Sequence, residues 1–219
     1  MDWKLLPLTQ QYLLCALDER GRLPGAERQA GLLAAGLLEL QEAGCLSLEE
    51  GKARVLTALP ADRVYLEPLY AVVDREQPLK LEKVWETYCF AVTDRRMRTL
   101  VDAVGSALVS CGLAETGRSG LLGIRKTYIP QPESVCAAVS VLRPLLLEDG
   151  AVSEKTAALA VLLDRGGCLR AHFSGGERRA LRSRLKALDT MPEGKLAGDM
   201  AKYVESVTAA MAALAVAAC

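Results

Sequence analysis

"AERQAGLLAAGLLELQEA", residues 26–43, carries apolar side chains at Leu32, Leu33, Leu37 and Leu40, three and four apart as an α-helix requires, and Gly44 follows as a stop. Its apolar residues are too numerous for one amphipathic stripe, so the segment is expected near the centre of a helical fold. Upstream, Leu8–Leu17 repeats the helical spacing, with Thr9 as candidate N-cap and a turn over Asp18–Gly21. Downstream, "CLSLEEGKARVLTA" alternates at Cys45, Leu46 and Leu48, turns at Glu50-Gly51 and returns through Val55, the pattern of a small hairpin. Helix, helix, hairpin makes a winged-helix-like N-terminal part.

The same grammar continues. Helices are expected around Leu66–Val73 and over Leu79–Phe90, separated by Pro78. Thr93 is positioned to cap a longer helix, "DRRMRTLVDAVGSALVSCG", ended by Gly112. Leu113–Tyr128 reads as a second hairpin turning around "TGRSG". Pro132 opens a helix that Pro144 disturbs, Ser153 caps Lys155–Leu163, and "SGGE", Ser174–Glu177, is a capping box before Arg178–Leu188. A last helix is expected over Asp199–Ala218. The fold class is therefore mainly α: a single compact helical domain over residues 1–219 with small β-hairpins, without repeats or low-complexity linkers.

Composition excludes some functions. Basic and acidic residues number 27 each, so the net charge is zero and the winged-helix-like opening is not expected to bind nucleic acid, whose affinity comes chiefly from phosphate contacts. The seven cysteines are scattered without a C-x-x-C pair and read as buried thiols of a reducing cytoplasm. The start, "MDWKLLPLTQQ", has no basic segment followed by an apolar run, so no signal peptide is expected, and the uncharged tract Ser206–Cys219 is too short to span roughly 30 Å of hydrocarbon. His172, the one histidine, has no cysteine or carboxylate at ligand spacing. No carboxylate is read as standing alone in an apolar stretch, where a general acid with a raised pKa belongs. Neither enzyme activity nor a metal or cofactor is expected.

What remains is basic and apolar together. In "DRRMR" Arg95 and Arg98 lie at i and i+3 on one helix face. In "GLLGIRKTYIP", residues 120–130, Leu121, Leu122 and Ile124 stand directly against Arg125 and Lys126, with Arg118 close in sequence. Apolar side chains that enter the acyl boundary, flanked by cations that favour anionic head groups, are the equipment of a peripheral membrane protein.

Five stretches together resemble the Golgi phosphoprotein 3 family of phosphoinositide-binding peripheral membrane proteins, which has bacterial, especially actinobacterial, members of this size: "LTQQYLLCALDERGRL", "GLLELQEAGCLSLE", "ALVSCGLAE", "GLLGIRKTYIP" and "LAVLLDRGGCLRAHF". The resemblance implies a mostly helical single domain whose hairpin at Gly120–Pro130 inserts into the membrane. It also implies a phosphatidylinositol 4-phosphate site built from a tryptophan before the leucine-rich helix, an arginine within it, and an Arg-x-x-Arg pair on the helix before the hairpin. Aligned without gaps, those positions fall on Pro24, Leu33, Arg98 and Val101, so Arg98 alone carries over, with Arg95 one turn earlier as a substitute. The expectation is a cytoplasmic, peripherally membrane-associated protein. It would bind anionic lipid through Arg98, Arg95, Arg125 and Lys126, insert Leu121, Leu122 and Ile124, and favour this phosphoinositide little over other anionic lipids. The alternative is an adaptor module whose hairpin binds a protein client or a second copy of the chain.

Overall fold

The computed structural model describes residues 3–120, 123–148, 152–190, 200 and 202. Two helices form its centre: α1 (Leu8–Ala16) packs along α2 (Ala26–Glu42), and α7 (Glu154–Arg165) lies against both. From Ala30 to Leu40 every residue of α2 is buried, as its unbroken apolar run requires. Less expected is α1, buried over all nine residues although three of them are Thr9, Gln10 and Gln11. Some of their polar groups find partners inside, while the Thr9 hydroxyl and the Gln10 amide oxygen are buried without a hydrogen bond among the described residues. Gln11 donates to the Trp3 carbonyl at 2.8 Å, and the backbone N–H of Thr9 donates to the Glu39 carboxylate at 2.8 Å. Thr9 therefore does not cap α1; Pro7 holds the N-cap position without a side-chain bond. One of the free N–H groups of the first turn, that of Thr9, is served by Glu39, thirty residues away on α2.

Glu39 also corrects the reading of the carboxylates. It stands in an apolar run, only 1% exposed, and pairs with Arg63 Nε at 3.0 Å while accepting from the Tyr65 hydroxyl. Every group facing it is a donor, and a buried carboxylate so surrounded holds structure together.

The first hairpin, β1 (Leu46–Glu49) with β2 (Lys52–Val55), closes through Glu50 and Gly51, both at positive φ, in a two-residue turn whose twist suits a hairpin. A short third strand, β3 (Leu79–Lys80), adds antiparallel to β2, so the expected helix over Leu79–Phe90 begins only at Leu81 as α4 (Leu81–Cys89). Between them a 3-10 turn, Ala61–Leu66, leads into α3 (Glu67–Arg75). Next comes α5 (Arg95–Ser110), whose N-cap position is Asp94 and not Thr93.

The second hairpin joins β4 (Ala114–Ser119) to β5 (Arg125–Pro130), in register from Ala114 opposite Pro130 to Ser119 opposite Arg125. Its reversal lies at 120–124, later than the expected "TGRSG", because Gly120 and Gly123 hold the positive φ values that the loop needs. After it, α6 (Pro132–Leu147) runs through Pro144, which falls in the last turn, where its missing N–H costs one bond while its carbonyl still accepts from Glu148. Ser153 caps α7, accepting from the Thr156 N–H. A short α8 (Leu169–His172) precedes α9 (Gly175–Thr190), opened by the reciprocal box of Ser174 N–H to Glu177 Oε2 at 2.7 Å and Glu177 N–H to Ser174 Oγ at 3.3 Å. His172 Nε2 bonds the Cys15 carbonyl at 2.8 Å, and Arg143 ties α6 to Glu177 and the His172 carbonyl.

Among the described residues these nine α-helices and two small antiparallel sheets surround one continuous apolar cluster, the mainly α class with small hairpins that the pattern required. Of the cysteines, Cys15, Cys45 and Cys168 are buried as expected, but Cys136 is exposed on the outer face of α6. Burial raises the Cys15 and Cys168 thiols above their ordinary value, the latter to about 11, which keeps them protonated. No helix among the described residues is long and apolar enough to cross a membrane. The expected last helix lies outside them, apart from Met200, which is buried, and Lys202.

Candidate functional site

The second hairpin is held along α5 by Tyr128. Its ring lies over Gly105, where an added Cβ would come within 2.4 Å of the ring carbons, so only glycine gives it room. The Tyr128 hydroxyl is 3.1 Å from both the carbonyl and Oδ1 of Asp102 and 3.3 Å from Ser106 Oγ. Burial holds it above the usual phenol pKa, so it stays a neutral donor. On its other side, the Tyr128 N–H donates to the Gly21 carbonyl at 3.0 Å, fastening β5 to the turn after α1. That turn is shaped by Asp18, whose carboxylate accepts from the N–H groups of Arg20 and Arg22 and pairs with the Arg22 guanidinium.

These contacts leave a cleft of about 470 Å³ between three walls: the turn at Gly21–Pro24, the first half of α5, and the far half of the hairpin. Four cations line it, Arg22, Arg98, Arg125 and Lys126, with two carboxylates, Asp94 and Asp102. Two of the cations are already engaged: Arg22 with Asp18 at 2.8 Å and Arg98 with Asp94 at 2.9 Å. Lys126 extends over the Tyr128 ring, 5.2 Å from its centre, and reaches Ser106 Oγ at 3.5 Å. The Arg125 guanidinium has no hydrogen-bond or ion-pair partner among the described residues. Arg118 stands directly opposite Lys126 in the ladder, a pairing of like charges that costs the hairpin stability. Ile124 lies on the rim of the cleft, 79% exposed.

The structure thus brings Arg98, Arg125, Lys126 and Ile124 together at one opening. It does not put Arg95 among the lining residues: at 100° per residue Arg95 sits about 60° round α5 from Arg98, exposed beside the cleft and not in it. Leu121 and Leu122 lie outside the described residues. Arg22, Gln29, Asp94 and Asp102 line the cleft without having been singled out in the sequence. Asp94 and Arg98 were legible as an i, i+4 pair, whereas Arg22 reaches the cleft only through the tertiary docking of its turn.

The sequence profile of the Golgi phosphoprotein 3 (GPP34) family matches residues 8–217, nearly the whole chain. The chain belongs to this family. No curated protein matches the chain. Of the four positions onto which the head-group site of the Golgi phosphoprotein 3 family falls, Pro24, Arg98 and Val101 line this one cleft, although they come from two distant segments. The fourth, Leu33, is fully buried in α2. Of the positions to which the resemblance pointed, Arg98 alone is a cation; the other three are Pro24, Leu33 and Val101.

Proposed function

We propose that this protein works as one unit that docks reversibly on membranes carrying anionic lipid. The cleft would take a phosphorylated head group against Arg98, Arg125 and Lys126, and the hairpin tip would enter the acyl boundary with Leu121, Leu122 and Ile124. Arg95 adds attraction from beside the cleft. The observation that carries the reading is Ile124, exposed at the mouth of a cleft whose cations outnumber its carboxylates. A large aliphatic side chain costs free energy in water, and cations crowded as Arg118 and Lys126 are repel one another; an anionic bilayer relieves both. With Pro24, Leu33 and Val101 at the aligned positions, phosphatidylinositol 4-phosphate gains little over other anionic lipids of equal charge.

Co-sedimentation of the purified chain with neutral, phosphatidylserine and phosphatidylinositol 4-phosphate vesicles, over a salt series, tests this. Binding to both anionic vesicles that weakens as salt rises is the expected result. Loss of retention by every anionic vesicle at low salt would reject it. The adaptor reading has an observation of its own: among the described residues β4 pairs only with β5, so its outer edge is open to a strand of a client or of a second copy. It would come forward if vesicles fail and the hairpin is needed to retain a protein.

A further inference from the structure

The α4–α5 loop carries a feature that the docking reading does not use. Val92 is fully exposed, at 105%, between Ala91 and Thr93, which are exposed as well. The loop is not loose at its base: Phe90 packs against the apolar cluster, and the Phe90 N–H donates to the Glu86 carbonyl at 3.2 Å. Val92 is therefore held outward. Two residues later Asp94 lines the cleft, so Val92 lies within about 7 Å, Cα to Cα, of the α5 wall.

Its level in the fold matches that of the hairpin tip. From the turn joining them, α5 extends about 24 Å back to Arg95, and β4 about 20 Å out to Ser119. Both contribute their far ends to the same cleft, where Asp94, two residues after Val92, and Ile124 line one opening.

The charges beside Val92 are as unusual as its exposure. The first turn of α5 holds Arg95, Arg96 and Arg98 and no acidic residue, at the end of a helix where the dipole disfavours cations. Asp94, at the N-cap position, makes no capping bond and spends its carboxylate on Arg98. Three arginines that the helix itself does not favour, next to a valine that the core does not use, complement a surface that is apolar beneath and negative above. We propose that this loop is a second membrane wedge, Val92 entering the acyl boundary across the cleft from the hairpin tip while Arg95 and Arg96 meet head groups outside the cleft. The inference rests on the docking reading and adds an orientation to it: α5 stands with its N-terminus toward the bilayer.

Tryptophan fluorescence with bromolipid quenching tests the wedge separately from the docking. The native Trp3 and Trp85 are both buried and serve as background. Val92→Trp and Ile124→Trp are each mixed with vesicles of brominated phosphatidylcholine and phosphatidylserine. The expected result is a blue shift and quenching in both variants, with Val92→Ser weakening co-sedimentation about tenfold at both low and high salt. Quenching at Ile124→Trp without quenching at Val92→Trp overturns the wedge and leaves the docking reading standing. A wild-type protein that binds no anionic vesicle overturns both.

Discussion

Removing a carboxylate from the cleft should strengthen membrane binding. Asp94 sits 2.9 Å from Arg98, and both side chains are about half exposed, so the pair itself contributes only about 0.5 kcal/mol to folding. Asn serves an N-cap position as well as Asp does, and Asp94 makes no capping bond to lose, so Asp94→Asn costs about 0.5–1 kcal/mol, chiefly through the helix dipole. At an anionic surface the balance reverses. Deleting one negative charge is equivalent to adding one positive, worth about 1 kcal/mol, and it releases Arg98 to meet a phosphate. Affinity for phosphatidylserine vesicles should therefore rise about fivefold in 0.1 M salt. In 1 M salt, where the screening length falls to about 3 Å, the gain should nearly vanish, and neutral vesicles should show none. Co-sedimentation of wild type and Asp94→Asn across this series measures it. Unchanged or weaker binding by Asp94→Asn at low salt would show that Arg98 does not face the lipid.

Two further outcomes concern the frame that holds the cleft. Glu39→Ala strands the Thr9 N–H, the Tyr65 hydroxyl and the Arg63 guanidinium; because Arg63 is one-quarter exposed and can turn toward water, the loss should be near the low end for a broken buried pair, about 3 kcal/mol by urea unfolding with an unchanged slope, and under 1 kcal/mol would contradict the assigned network. Glu177 is held below the usual carboxylate pKa, first by the Ser174 N–H, then by the Ser174 hydroxyl and Arg143. Its charged form is thus favoured by folding, and the stabilisation is present above about pH 4.3 and disappears as pH falls through the lowered value. The urea midpoints of wild type and Glu177→Gln should differ at pH 7 and converge in acid; a gap that persists in acid would rule out ionisation as its cause.

Local rules made much of this fold readable. The runs of α2 and α5 have helical period and glycine stops, Ser153 and the Ser174–Glu177 box are caps written in four residues, and Glu50-Gly51 is a hairpin turn in two. What escaped reading depends on partners distant in sequence. Thr9 looks like a cap until Glu39 is placed against its N–H, and Gln10 and Gln11 are buried in a helix packed against α2, α5 and α7. The cleft shows the same division. Its cations at Arg98, Arg125 and Lys126 stand out as local clusters, but the wall that carries Arg22 and Pro24 is positioned by one backbone bond between Gly21 and Tyr128, which no periodicity encodes.

The partial neutralisation of the cleft bears on how such docking would be controlled. With two carboxylates among its four cations, the cleft keeps a surplus of two charges, worth about 2 kcal/mol near an anionic leaflet. Ile124 and Val92 add roughly 1.5 kcal/mol each when buried, before any contribution of Leu121 and Leu122. These contacts, before any share of Arg95 and Arg96 beside the cleft, come to about 5 kcal/mol, which corresponds to dissociation near 0.2 mM, whereas either class of them alone falls above 1 mM. Neither an anionic surface without penetrable lipid nor a neutral bilayer would hold the protein, but their coincidence would. A cleft with every cation free would supply about 4 kcal/mol from charge, close to 1 mM by itself, and docking would depend less on the apolar contacts. On the docking reading, Asp94 and Asp102 would hold the electrostatic share to about half of that, and the apolar contacts would then decide whether the protein stays.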